Sequence, residues 1–228
     1  FDMLHSMRQF DDLTYVHSVN VALIASILGQ WLKFSEKDIR ILTISGLLHD
    51  IGKIMIPNEI LTKPGKLTVA EYNIMKQHVN FGYEKVKNQN IDIRIKEACL
   101  LHHEKCDGTG YPFGLKSDHI PAVAKIIAIA DVYDAMTSAR VYRGALCPFE
   151  VIDTMYKDAF TKFEPEYILP FLKNVASSYI NNDVRLSDGR IGKVVLINEN
   201  ALSLPIVQCE DEFIDLSKTR GLTVSAIL

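Results

Sequence analysis

A helical bundle of about seven helices, followed by a small antiparallel β appendage, is the mainly α fold this sequence predicts. Three observations predict it. Apolar residues recur at helical spacing through most of the first 180 positions. Pro121, Pro148 and Pro165 each stand where proline suits the first turn of a helix. Beyond about residue 180 the chain turns β-branched around an Asp-Gly pair.

From Tyr15 to Lys33, the residues Val16, Val19, Leu23 and Ile27 mark an apolar helix face. Ser35 and Asp38 start a second helix, Ile39 to about His49. Gly52, Pro57 and Pro64-Gly65 break the pattern into a loop. Thr68-Val-Ala-Glu71 is a capping box, in which a hydroxyl and a carboxylate satisfy free amides at a helix start. That helix is expected to run to about Lys87, and another from Ile91 to His103. The stretch from Glu104 to Ile120, rich in Gly and Asp, reads as an irregular loop. Helices over 121–138, 148–160 and 165–180 follow the three prolines. In the remainder, Asp188-Gly189 centres a hairpin, and Pro205–Cys209 and Glu212–Leu216 add strands to a sheet of three or four. The expected division is a helical domain over 1–180 and a β subdomain over 181–228.

Composition narrows the function. Of 228 residues, 48% are hydrophobic and 23% charged, so the chain can bury a sizeable core. The net charge of −3 gives no general basic surface for a DNA or RNA polymer or for anionic lipid. A phosphate-bearing ligand would therefore need local cations. The four cysteines form no CxxC pair, which argues against a zinc ribbon or disulfide framework and fits a cytoplasmic setting. No apolar run is expected to reach the roughly 20 residues that span a bilayer. The chain opens on Phe1 rather than methionine, so a longer protein with an upstream sensory domain is expected.

Five of the seven histidines stand in ligand-like contexts: His17, His49, His78, His102 and His103. In Leu47-Leu-His-Asp-Ile-Gly-Lys53, a His and an Asp end an apolar helix at a Gly. A buried, unpaired Asp50 costs several kcal/mol, so it requires a partner, either a metal cation or Lys53. His102-His103 ends a second apolar helix, and Asp131 follows the apolar run Ile126–Ala130. Imidazole nitrogen and carboxylate oxygen together suit iron, manganese or zinc. Five His and two Asp are too many for one ion with open positions. They suit two divalent ions with Asp50 bridging.

His17, His49-Asp50 and Asp131 match the H…HD…D pattern of the HD phosphohydrolase superfamily. The segment His102-His-Glu-Lys-Cys-Asp-Gly-Thr-Gly-Tyr-Pro112 resembles the HHExxDGxGYP signature of HD-GYP domains. Asp131-Val-Tyr-Asp-Ala135, Thr137-Ser138 and Arg140…Tyr142-Arg143 are also similar to that family, over roughly residues 10–180. The resemblance implies an HD-type bundle and hydrolysis of a bacterial cyclic dinucleotide, cyclic di-GMP foremost and cyclic GMP-AMP as the alternative. It implies metal ligation by His17, His49, Asp50, His78, His102, His103 and Asp131. It also implies phosphate contacts from Lys53, Arg140 and Arg143, with Tyr111 bordering the substrate. Family members with three metals carry a Glu four residues before the first ligand His. Leu13 stands there, so two ions are expected, iron or manganese in preference to zinc.

Two ions about 3.5–4 Å apart can lower the pKa of a shared water, whose hydroxide would attack phosphorus. Asp50 and Lys53 are the expected catalytic groups. Glu104, Asp107 and Asp134 are expected to orient the ligand histidines. A receptor that binds the dinucleotide without cleaving it is the rival reading, disfavoured by an intact ligand set. A homodimer is the default expectation for the assembly.

Overall fold

The computed structural model describes residues 11–138 and 144–228. It divides into two compact units, one running to Ala135 and including Thr161–Tyr167, the other formed by Met136–Phe160 and Ile168–Leu228.

The first unit is helical. Helix α1 (Asp12–Trp31) is capped by Asp11, whose carboxylate accepts from the Leu13 and Thr14 amides. Ser35 caps α2 (Glu36–Leu48), which ends at His49 and passes into a 3-10 turn, Ile51–Met55. A single turn, α3 (Asn58–Leu61), leads to α4 (Val69–Met75), and the capping box between Thr68 and Glu71 forms as the sequence predicts. Next come α5 (His78–Val86), α6 (Ile93–Leu101) and α7 (Ala122–Thr137).

Two expectations about these helices need correction. The helix expected over residues 68–87 is two helices. At the break, His78 Nδ1 lies 2.7 Å from the Met75 carbonyl, so the ring takes the acceptor that a continuous helix would offer to a backbone amide. The expected apolar face of α1 is also misplaced. Val16, Leu23 and Ile27 are exposed, and the buried face is Thr14, Ser18, Val21, Ala22, Ala25, Leu28 and Gly29. Small side chains on that face let α2 approach closely, and Ile41 and Leu42 of α2 are buried.

At 20 residues and a mean hydropathy of 1.2 over its best window, α1 is long and apolar enough to cross a membrane, contrary to the expectation that no run would be. Yet it carries His17 and Asn20, both engaged with carboxylates of α7, as a core helix would.

The second unit combines α8 (Pro148–Lys157) and α9 (Pro165–Ser178, from Ile168 onward) with a sheet. Pro148 and Pro165 open these helices as expected. The strands are β1 (Asp183–Leu186), β2 (Ile191–Leu196), β3 (Ile206–Cys209), β4 (Glu212–Asp215) and β5 (Val224–Ile227), in the order β4-β3-β2-β1-β5. All pairings are antiparallel. The β1–β2 hairpin turns at Asp188-Gly189, where Gly189 has φ 94°. Five strands replace the expected three or four because β5 joins β1 from the far end of the unit, pairing Arg185 with Ala226. Phe149, Ile152, Met155, Phe171, Val184, Val194 and Val207 are among its buried residues. The observed fold is mainly α with a small antiparallel appendage, as the sequence predicts. Nine α-helices occur among the described residues, rather than about seven.

Candidate metal centre

Three histidines of the first unit sit at helix ends and point Nδ1 at a backbone carbonyl in one way. His49 follows the last residue of α2, and its Nδ1 lies 2.8 Å from the Gly46 carbonyl. His102 follows α6, with Nδ1 2.9 Å from the Ala98 carbonyl. His78 opens α5 with the Met75 contact already described. A carbonyl can only accept, so Nδ1 carries the proton in each ring. Each Nε2 is thereby left as a lone-pair donor, the form a metal requires.

Those nitrogens surround Asp50. Its Oδ1 lies 3.3 Å from His78 Nε2 and 3.9 Å from His102 Nε2. Its Oδ2 lies 3.3 Å from His49 Nε2 and 3.7 Å from His17 Nε2. Close packing makes this convergence possible. A Cβ on Gly52 would fall on the His78 carbonyl and the Gly82 amide, so only glycine lets the turn after Asp50 lie against α5. Cys99 Sγ, 3.3 Å from the Leu48 carbonyl, ties α6 to the end of α2.

Two groups of ligand atoms result: His17, His49 and Asp50, and Asp50, His78, His102 and His103. Within each group the atoms lie within 4.8 Å of one another, and Asp50 belongs to both. Asp131 stands between the groups, with Oδ1 2.9 Å from His17 Nε2 and Oδ2 3.7 Å from His103 Nδ1. The structure thus brings together all seven residues singled out as ligands.

Electrostatics make this a cation site. Burial opposes the charge on Asp50, but Lys53 and His49 outweigh it and hold the carboxyl well below its usual range. Burial likewise opposes the charge on Asp131, and His17 and His103 outweigh it. Burial pushes His102 well below the imidazole range, lowers His78, and takes His103 down to about 3. His17 differs: burial lowers it, but hydrogen bonds to Asp131 and Asp134 prevail and raise it to about 9. Ionised carboxylates and the neutral imidazoles of His78, His102 and His103 are therefore set side by side.

His49 Nε2 and Asp50 Oδ1 are buried with no hydrogen-bond partner among the described residues. Each such atom costs about 1–3 kcal/mol unless something satisfies it. A divalent cation would satisfy both, and the His/Asp donor set fits one. The cluster is capable of coordinating a divalent metal.

The other predicted residues divide. Lys53 Nζ lies 2.5 Å from Asp50 Oδ2. Tyr111 stacks on His103, with ring centroids 4.7 Å apart and planes at 29°. Asp134 Oδ2 lies 2.6 Å from His17 Nδ1, within reach of the ring it is expected to orient. Glu104 and Asp107 are engaged elsewhere. The buried Glu104 carboxylate accepts from the Phe113 and Leu115 amides at 2.7 and 2.9 Å, and the exposed Asp107 accepts from the Thr109 amide and hydroxyl. Both shape the loop, because the chain turns back over Glu104. A Cβ on Gly110 would strike the Glu104 and Lys105 backbone. Arg140 and Arg143 lie outside the described residues. Sequence reasoning missed Asn20, whose Nδ2 donates to Asp134 Oδ1 at 2.9 Å. Its place three residues after His17, on the same helix face, is the signal that could have found it.

A helical unit with a buried, metal-capable His/Asp cluster built at helix ends defines the class of protein. More particularly, the family model described as HD domain matches residues 6–167, and the chain belongs to that family. It is similar to a cyclic di-GMP phosphodiesterase of Pseudomonas aeruginosa, 36% identical over 203 residues that cover 89% of this chain and 49% of the relative. A cyclic di-GMP phosphodiesterase response regulator of Xanthomonas campestris is 41% identical over 155 residues, 67% of this chain and 41% of the relative. A 3′3′-cGAMP-specific phosphodiesterase of Vibrio cholerae is 36% identical over 158 residues, 68% of this chain and 30% of the relative. The chain spans half or less of the length of these relatives. Among solved structures, the HD domain of the L. monocytogenes phosphodiesterase PgpH, in complex with cyclic-di-AMP, shares the fold. It has a TM-score of 0.60 at 18% identity, covering 78% of this chain and 95% of that one.

Proposed function

We propose that the chain is the catalytic part of an HD-GYP phosphodiesterase that hydrolyses a cyclic dinucleotide, cyclic di-GMP foremost, to linear pGpG, with GMP as the alternative end product. The catalytic domain on this reading is residues 1–180, with 181–228 an appendage, and the setting is cytoplasmic. The observation that carries the reading is Asp50, one buried carboxylate shared by two groups of ligand atoms. Such sharing is what a pair of ions needs in order to act on one phosphate.

His17, His49 and Asp50 would hold one ion, and Asp50, His78, His102 and His103 the other, with Asp131 completing the set. Bound there, divalent ions, iron or manganese foremost, supply Lewis-acid polarisation of a phosphoryl oxygen and lower the pKa of water. In the hydrolysis, the oxygen of water bonds to phosphorus, the P–O3′ bond breaks and the 3′-oxygen leaves as a hydroxyl. Lys53, held on Asp50, sets a positive charge beside the phosphate, where negative charge grows in the transition state. Arg140 and Arg143 are the further phosphate contacts on this reading. Tyr111, stacked on His103, borders the substrate on this reading.

Cyclic GMP-AMP is the second substrate to weigh, since relatives specific for it are 35–40% identical to this chain. Metal-loaded protein and an Asp50→Ala variant should be incubated with cyclic di-GMP and with 3′3′-cGAMP, and the products resolved by chromatography. Linear product from the unaltered protein alone supports the reading. Hydrolysis of neither substrate refutes it.

A further inference from the structure

Beside the ligand cluster stands a second cluster with no part in metal binding. Tyr72 lies on α4 and Lys76, four positions on, caps its end, with the Lys76 amide donating to the Tyr72 carbonyl at 2.9 Å. The Lys76 ammonium sits 5.3 Å from the centre of the Tyr72 ring and 6.0 Å from that of Tyr111. The two tyrosine rings meet edge to face at 6.5 Å and 81°. Tyr111 itself stacks on His103 and lies 6.4 Å from the His78 ring. The cluster therefore borders the ligand histidines directly.

Three features make it a reception site rather than packing. Lys53 pairs with Asp50 and, on the reading above, serves the reacting phosphate alone. Lys76 has only aromatic rings for company and pairs with no carboxylate among the described residues. Tyr72 is 48% exposed, which leaves much of a large aromatic ring uncovered beside that ammonium. An unpaired cation and an uncovered aromatic ring next to a phosphate-cleaving centre match the two chemistries of a nucleotide, anionic phosphate and flat base. The edge-to-face geometry leaves no slot between the tyrosines, so a base would lie on the outer face of Tyr72.

We propose that Tyr72 and Lys76 form a nucleotide-binding rim, Tyr72 stacking a purine base of the cyclic dinucleotide and Lys76 contacting a phosphate oxygen. The inference rests on the functional reading above and extends it to how the substrate is held. It is tested by calorimetric binding of the hydrolysis-resistant bisphosphorothioate of cyclic di-GMP to manganese-loaded protein. Tyr72→Leu is expected to weaken binding about tenfold, the order of one stacked base, and Tyr72→Phe to restore it. Lys76→Met is expected to weaken binding about tenfold and to flatten its salt dependence, as loss of a phosphate contact should. Manganese content stays unchanged in all three. Lys87→Met, which removes an equal charge beyond the last residue of α5, leaves affinity unchanged. Unaltered affinity in both Tyr72→Leu and Lys76→Met, with the unsubstituted protein binding, overturns the rim alone. Failure of the unsubstituted protein to bind the probe overturns the functional reading and the rim with it.

Discussion

His17 Nδ1 and Asp134 Oδ2 lie 2.6 Å apart across 117 residues of sequence. Asn20 holds the other oxygen of the same carboxylate, so α1 grips Asp134 at two points one turn apart. The contact fixes the plane of the His17 ring and aims Nε2 toward Asp50 and Asp131. Partners of this kind raise ligand basicity and set ring orientation, and their loss costs about 10–100-fold in metal affinity. Asp134→Ala is expected to fall in that range, measured by competition with a chelator, while circular dichroism stays unchanged. An affinity within twofold of the unsubstituted protein would count against an orienting role.

Glu104 gives a stability prediction. Its buried carboxylate accepts from two loop amides, Phe113 and Leu115, and holds the loop that carries Tyr111. Hydrogen bonds to a charged group contribute about 1.5–3 kcal/mol each, and the amides would regain some of that from water. Glu104→Ala is therefore expected to cost about 2–4 kcal/mol in denaturant unfolding. Glu104→Gln, which keeps one carbonyl oxygen as acceptor, should cost roughly half as much. Equal stability of the alanine and glutamine variants would refute the two-amide account.

How far the sequence could be read depends on the range of the interaction involved. Capping at Thr68 and the helix-opening prolines act within one turn, and they were legible. The seven ligand candidates were legible because polar pairs ending apolar helices are rare and because their motif order resembles a family. The buried face of α1 was not. Thr14 and Ser18 are polar and Ala22 and Ala25 small, and they are buried because α2 and the ligand cluster need close approach, which no periodicity reveals. Glu104 adjoins the histidines in sequence. In space the chain curls over it, and the adjacent amides claim the carboxylate first. Strand β5 is four residues whose pairing with β1 is decided some forty positions away.

The capping box at α4 sets a pH dependence. Lys63, then the Thr68 amide and hydroxyl, hold the Glu71 carboxyl down to about 2, against a usual 4.5. A carboxylate with a depressed folded pKa stabilises fully above its unfolded value. That contribution is lost as pH falls from about 4.5 toward 2. The unsubstituted protein should thus be more stable than Glu71→Gln at pH 6, and the two melting curves should converge as pH falls to about 2. Protection factors of the α4 amides, taken against the intrinsic exchange rate at each pH, should fall over the same window. A constant gap between the curves would show that the charge on Glu71 does no such work.

The sharing of Asp50 separates two classes of substitution. His103 belongs to one ligand group and Asp50 to both. If the groups hold separate ions, His103→Ala should deplete the ion held with His78 and His102 and leave the one held by His17 and His49. Asp50→Asn should deplete both, because an amide carries no charge to balance the cations and offers one good acceptor where two oxygens are needed. Elemental analysis after dialysis should therefore read about half the unsubstituted metal content for His103→Ala and near zero for Asp50→Asn. The pattern has a structural cause: Asp50 Oδ1 faces His78 and His102, whereas Oδ2 faces His49 and His17, so one carboxylate spans both groups. Equal depletion by the two variants would mean a single, indivisible site, and the bridging role of Asp50 would have to be given up.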